Sequence, residues 1–239
     1  MIESVNNERI KRITKLNDKK YQDIENKFII EGKHLVEEAL KLGYLEEIFL
    51  IKDEDIDFDN KTFVNENVMR KLSTLKSIPN IIGVAKKINN GEIKGNILML
   101  DGIKDPGNMG TIIRSCVAFD IDTLVISKDS ISIYNPKVVR ASEGMIFNQN
   151  IVIDDLDKVL TSLKNYTIYT TDVNGGEDLK DINFSKNNAI IIGSEASGVK
   201  EAIKKYADKK LYIKMNSLCE SLNAGVSASI IMYELNNKK

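Results

Sequence analysis

Two short runs constrain this chain more than any other feature: ILML at 97–100 and AIIIG at 189–193. Each is apolar throughout its strand-like length, so both faces of the strand must be covered. A sheet with one wet face would alternate apolar and polar residues; a parallel sheet between helices would not. The residues after the first run sharpen the point. In ILMLDGIKDPGNMGTIIRSCV, 97–117, Asp101-Gly102 and Pro106-Gly107 read as loop punctuation, and a helix is expected from about Asn108. Met109, Ile112, Ile113, Cys116 and Val117 then form one apolar stripe. Gly110 and Arg114 share another face, so a ligand can approach backbone beside a guanidinium. A strand, a glycine loop, a helix start and a flanking Arg suit a phosphate or another polar ligand.

Strand and helix patterns alternate along the whole chain. Before residue 89, helices are expected over 8–24, 34–42 and 67–75, and strands over 27–31, 48–51, 62–64 and 81–87. The acidic stretch 53–59 reads as a surface loop. After residue 96, strands fit 97–101, 122–127, 151–153, 167–171, 189–193 and 211–214. Helices fit 108–119, 136–145, 155–165, 199–207 and 221–236. Between the two halves lies NNGEIKGN, 89–96, with little to bury, which reads as a linker. The expectation is an α/β protein with a small first domain, 1–90, and a parallel-sheet domain, 95–239. With 42% hydrophobic residues in 239, a core needs no staples.

Several function classes are excluded by spelling. There is no G-x-G-x-x-G and no G-x-x-x-x-G-K-[ST]. His34 is the sole histidine, so H-E-x-x-H and cysteine–histidine zinc sites cannot form, and no metal is expected. Cys116 and Cys219 read as reduced core thiols inside regular segments, which suits the cytoplasm. No apolar run reaches membrane-spanning length, and MIESVNNERIKRITKL lacks a signal-peptide core. Net charge is −1, so bulk charge does not announce a nucleic-acid binder. Locally, Arg9, Lys11, Arg12, Lys15, Lys19 and Lys20 outnumber Glu3, Glu8 and Asp18; a phosphate-contacting arm and a solvated helix explain this equally. Catalysis is left to Arg, Lys, Glu, Asp, Ser or Asn.

Three polar, glycine-bearing stretches follow strands in the second domain. The first reads N-x-G-x-x-x-R across Asn108, Gly110 and Arg114. The second is IIIGSEASGV, 190–199, with Glu195 just past a buried strand. The third is IKMNSLCESLNAGVSAS, 213–229, with Ser221 and Asn223 before a run of small residues. Each has a plain structural explanation. Asn108, Ser197 and Ser221 are candidate helix caps, Arg114 a surface charge, and the small residues a means of close helix packing. Their joint position at strand C-terminal ends is where open α/β sheets bind ligands.

As a set, these stretches resemble the three motifs of the SpoU family of RNA 2′-O-ribose methyltransferases, TrmH-like proteins of the SPOUT class. FIIEGKHLVEEALK, 28–41, resembles that family's substrate-binding domain, which is similar to an RNA-binding ribosomal protein. The resemblance implies a C-terminal trefoil knot in an α/β parallel-sheet domain, a feature that periodicity never predicts. It implies S-adenosylmethionine bound at Gly193, Ile213 and Leu222, with the strand end at 170–171 contributing. It implies Arg114 as the key catalytic residue, with Asn108, Glu195, Ser221 and Asn223 completing the site. A homodimer through the last helix and an RNA substrate, ribosomal in preference to transfer RNA, follow from the same likeness. The residues of 221–236 add to it, being apolar or small in most directions and so needing cover on two sides.

Two positions depart from the family's third motif: Lys214 stands where Pro is usual and Ser217 where Gly is usual. Both change what the backbone of that loop can adopt. Two roles are open for Arg114: base toward the ribose hydroxyl, or a charged clamp on phosphate and developing alkoxide. The second is favoured on energetic grounds. Rival readings are a non-catalytic RNA-binding protein retaining the knot, a transfer-RNA ribose methyltransferase, and an unrelated nucleotide-binding enzyme using the DPGNMG loop.

Overall fold

The computed structural model describes every residue except Lys52, Asp53, Asp55, Asn174 and Lys239. The acidic loop expected at 53–59 therefore lies partly outside the described residues; within it, Ile56 is buried. The chain divides into two compact units, 1–89 with 132–147, and 90–131 with 148–239.

The first unit begins with α1 (Glu8–Thr14) and α2 (Lys19–Glu25), separated by a 3₁₀ turn where one long helix was expected. Asp18 explains the break: its carboxylate caps α2 by accepting from the Lys20 N–H at 2.8 Å. Ile10, Ile13 and Leu16 nonetheless form the expected buried stripe. There follow β1 (Lys27–Glu31), α3 (Lys33–Lys41), β2 (Leu45–Leu50), β3 (Lys61–Phe63), α4 (Glu66–Leu72) and β4 (Ile81–Lys86). The strands form a mixed sheet in the order β1-β4-β2-β3. Successive residues of a strand face opposite ways. Ile29, Phe49, Ile82 and Val84 accordingly meet Ile10, Ile13, Val68, Met69 and Leu72. Phe28 points the other way, to Tyr134 and Phe147, whose ring centroids lie 4.9 and 5.9 Å from its own.

The second unit opens with β5 (Ile97–Asp101), α5 (Pro106–Ala118) and β6 (Thr123–Ser127). The chain then leaves it for 132–147, including α6 (Pro136–Ala141), which completes the first unit. On its return it forms β7 (Ile151–Asp154), α7 (Leu156–Ser162), β8 (Thr167–Thr171), the two-residue β9 (Glu177–Asp178), β10 (Asn188–Gly193), α8 (Glu201–Lys204), β11 (Lys209–Tyr212) and α9 (Ala224–Asn237). The sheet order is β7-β6-β5-β10-β8-β11-β9, and every pair is parallel. β5 and β10, which carry the two apolar runs 97–100 and 189–193, are neighbours at its centre. Ile97, Met99, Ala189 and Ile191 pack against Leu156, Val159, Leu160, Val199 and Ile203 on one face. No helix among the described residues is long and apolar enough to cross a membrane.

Several expected boundaries move. α5 starts at Pro106, with Asp105 capping it through the Asn108 N–H at 2.8 Å, so Asn108 is not the cap. The helix expected over 199–207 is only Glu201–Lys204; Lys200, not Ser197, stands at its N-cap position, with no side-chain capping bond. The strand expected over 211–214 ends at Tyr212, leaving Ile213 just beyond it. The last helix begins at Ala224 with Asn223 as its cap, so Ser221 lies in the preceding loop. Cys116 is a buried thiol, but Cys219 is exposed in a turn, against expectation.

Candidate active site

The C-terminal ends of β8, β10 and β11 lie side by side at one edge of the sheet, as those of neighbouring parallel strands do. The segments that follow them surround a cleft of about 770 Å³. Its floor is Thr171 at the end of β8 and Asp172 after it, Ile192 and Gly193 of β10, and Leu211 to Ile213 at the end of β11. The loop Ser194–Val199 and residues 220–224 form its walls, with Ser227 and Ile231 of α9 behind them. A volume of this size suits a nucleoside-sized ligand, and the lining mixes aliphatic walls with few charges, as small-molecule sites do.

Gly193 is required where it sits. A Cβ there would fall well under 3.0 Å from Gly198 C and O and Val199 N, so the loop folds directly over the glycine backbone. Ser194 and Gly198 close that loop with reciprocal backbone hydrogen bonds of 3.1 and 2.9 Å, and Gly198 has φ +64°. The Ser194 and Ser197 hydroxyls meet at 2.9 Å. This turn presents Glu195, whose Oε1 accepts a short hydrogen bond from Asn108 Nδ2. Asn108 is itself almost buried in the first turn of α5.

Every cofactor position expected from the sequence, Gly193, Ile213 and Leu222, lines the cleft, as do Glu195, Ser221 and Asn223. Asn108 joins it through Glu195. Thr171 lines it, whereas Thr170 is fully buried elsewhere in the sheet. Arg114 is not in the lining; it is exposed on α5 and makes no hydrogen bond or ion pair among the described residues. Asn223 does serve as a cap, its Oδ1 accepting from the Val226 N–H at 3.2 Å. The small residues after it do permit close packing. At Gly225 a Cβ would lie 3.3 Å from Thr111, and the Ser115 and Ser229 hydroxyls meet across α5 and α9 at 2.8 Å. Asn223 thus both caps α9 and lines the cleft.

Sequence reasoning missed Asp172, Lys204 and Glu220 in the lining. Asp172 was findable, because it follows the C-terminal end of a recognised strand. Lys204 lies 3.9 Å from the Asp172 carboxylate and 2.7 Å from that of Glu201. The Glu201 bond, supported by the charge of Asp172, raises the Lys204 ammonium above its ordinary pKa. No cluster of metal-ligating side chains occurs among the described residues.

Residues 95–233 match the model of the SpoU rRNA Methylase family, and residues 7–83 match that of the MRM3-like substrate binding domain. The chain is 32% identical over 246 residues to the 23S rRNA (guanosine(2553)-2′-O)-methyltransferase RlmP of Bacillus subtilis (strain 168), with 98% of each chain covered. A solved RNA 2′-O ribose methyltransferase is similar at a TM-score of 0.86 and 27% identity, over 99% of this chain and 98% of that one. The fold is also that of an AdoMet-bound rRNA methyltransferase from Sinorhizobium meliloti, with a TM-score of 0.88 at 23% identity over 99% and 97% of the two chains.

Proposed function

Because this chain belongs to the SpoU rRNA methylase family, we propose that it transfers the methyl group of S-adenosylmethionine to a ribose 2′-hydroxyl of ribosomal RNA. It is an RNA methyltransferase, and the naming of its Bacillus relative as a 23S enzyme favours ribosomal over transfer RNA. The observation that carries the reading is the convergence of the three motif stretches on one cleft, with Asn108 bonded to Glu195 across two of them.

The residues present fit the cofactor. Ile192, Leu211, Ile213 and Leu222 offer apolar walls for a flat base, and the Gly193 turn lets backbone approach closely. Asp172 and Glu220 can accept from hydroxyl or ammonium groups, and Lys204 can meet a carboxylate. Held there, the cofactor would supply an electrophilic methyl carbon on a sulfonium, with a neutral thioether as its leaving group, to a ribose oxygen that gives up its proton.

What remains for the protein is alignment and charge. Arg114 has an exposed guanidinium with no partner among the described residues, able to hold an RNA phosphate with its planar fork. A guanidinium in water stays charged across the physiological range, so the clamp role is preferred to that of base. Asn108 and Glu195 hold the start of the Arg114 helix against the cofactor loop. Ser221 and Asn223 order the loop that leads into α9.

The reading extends to a trefoil knot, a homodimer and a cytoplasmic location. Supporting the knot are the placement of β10 between β5 and β8, the departure to β11 beyond β8, and the return of the chain to pack α9 on α5. Supporting the dimer are Val226 and Tyr233 on one side of α9, 46% and 52% exposed. The first unit is the substrate domain in this reading, with an RNA-binding ribosomal-protein likeness. Ribosomal RNA as substrate favours the cytoplasm.

The test is transfer of labelled methyl from S-adenosylmethionine to unmodified ribosomal RNA, followed by mapping of 2′-O-methyl positions. Stoichiometric cofactor binding with no methyl in ribosomal or transfer RNA would overturn the reading in favour of a non-catalytic RNA binder.

A further inference from the structure

Asp101 ends β5, and its side chain is 1% exposed. Its carboxylate is bonded by a single residue among those described, Lys200, which reaches it twice. The Lys200 backbone N–H donates to Oδ2 at 2.8 Å, and its ammonium lies 2.9 Å from Oδ1. The same ammonium donates to Asp129 Oδ2 at 2.8 Å, in the loop after β6. Asp129 is held in turn by the Lys104 ammonium, which donates to its carbonyl oxygen. The Lys200 ammonium is raised above its ordinary pKa by these bonds, Asp129 foremost, and so stays charged.

The position of this cluster matters more than its strength. Lys200 directly follows the cofactor-lining turn 194–199, whereas Asp101 and Lys104 directly precede the helix that carries Asn108 and Arg114. The two stretches touch again through Asn108 and Glu195. One end of the turn is thus fastened to the lead-in of α5 and the other to its first turn. A buried carboxylate whose donors all come from one residue fixes that residue's place, because any displacement strands the charge.

We infer that Lys200 is a positioning residue for methyl transfer, clamping the 193–199 turn to the lead-in of the Arg114 helix through Asp101 and Asp129. The inference rests on the methyltransferase reading above. In Lys200→Met the backbone bond to Asp101 survives and the ammonium bonds are lost, so the turn keeps its path but loses its lock.

The experiment uses the full chain. Hydrogen exchange of the Ser194 and Gly198 amides is followed without ligand, and KM for S-adenosylmethionine and kcat are measured well below the melting temperature. Loss of a charge-assisted bond implies about tenfold faster exchange in the turn and about tenfold higher KM in Lys200→Met, with kcat at saturation within about threefold. Asp129→Asn frees only the outer end and should raise KM about threefold; it decides the matter if Lys200→Met does not fold. Unchanged turn exchange and KM would overturn the inference, and so would faster exchange spread evenly through the second unit, the mark of a merely structural role. A wild-type chain without methyl transfer would sink the enzymatic reading instead, and turn exchange would still decide the clamp.

Discussion

Replacing Gly193 with Ala tests the cofactor site most directly, because the obstruction is backbone and not a movable side chain. The added methyl would sit well under 3.0 Å from Gly198 C and O and Val199 N. The turn must therefore lift off the end of β10, breaking both reciprocal bonds between Ser194 and Gly198. At about 1 kcal/mol each, their loss removes about 2 kcal/mol of order from the cofactor wall. If cofactor binding must restore that order, the dissociation constant for S-adenosylmethionine rises about 30-fold. The sheet itself should persist, since Ile190, Ile191 and Ile192 stay buried within β10. Calorimetric titration of S-adenosylmethionine into Gly193→Ala, beside a thermal melt, reads both effects. Wild-type affinity in a folded variant would refute the idea that this turn forms a wall of the cofactor site.

Arg114→Ala should leave cofactor affinity within about twofold, because Arg114 is outside the cleft lining, and should lower methyl transfer by at least about a hundredfold. Arg114→Lys separates the roles: partial rescue means charge suffices, and none means the planar fork is needed. Asn108→Ala, which releases Glu195, should reduce kcat about tenfold with a smaller effect on stability. Phe147→Ala removes a ring stacked on Phe28 and Tyr44 and should cost about 3–5 kcal/mol in denaturant unfolding; a loss under about 1 kcal/mol would mean that 132–147 is dispensable to the first unit. Val226→Glu should halve the mass seen by light scattering and reduce activity with it, while Ile231→Glu, at a side chain 1% exposed, should simply unfold the chain.

The parallel sheet was legible because β5 and β10 are apolar on both faces, which only a covered strand tolerates. The cleft was legible because its walls begin where recognised strands stop. The start of α5 was misplaced because Asp, Pro and Gly spell both a turn and a helix entrance. Only the geometry shows Asp105 capping and Asn108 turned toward Glu195. Cys219 reads as a core thiol only if the segment around it is regular; it lies instead in a loop, exposed beside Leu218, which is 93% exposed. Lys200 carried no signal at all, since its partners are distant in sequence. The placement of 132–147 was equally hidden, because an amphipathic helix pattern states that a face is buried but not against what.

That excursion of the chain has a consequence for synthesis on the ribosome. The aromatic face around Phe28 belongs to a sheet complete by residue 86, yet its cover, Tyr134 and Phe147, is translated much later. At ordinary elongation rates, residues 90–147 take roughly 3 to 12 s to appear. Throughout that interval the nascent first unit shows an apolar patch, while β5, α5 and β6 emerge with no β10 yet made to sit beside them. Neither unit can finish before the other has begun. The nascent chain should therefore bind holdase chaperones until residue 147 is out, and synonymous changes that slow translation between codons 90 and 147 should lower soluble yield without altering the purified protein.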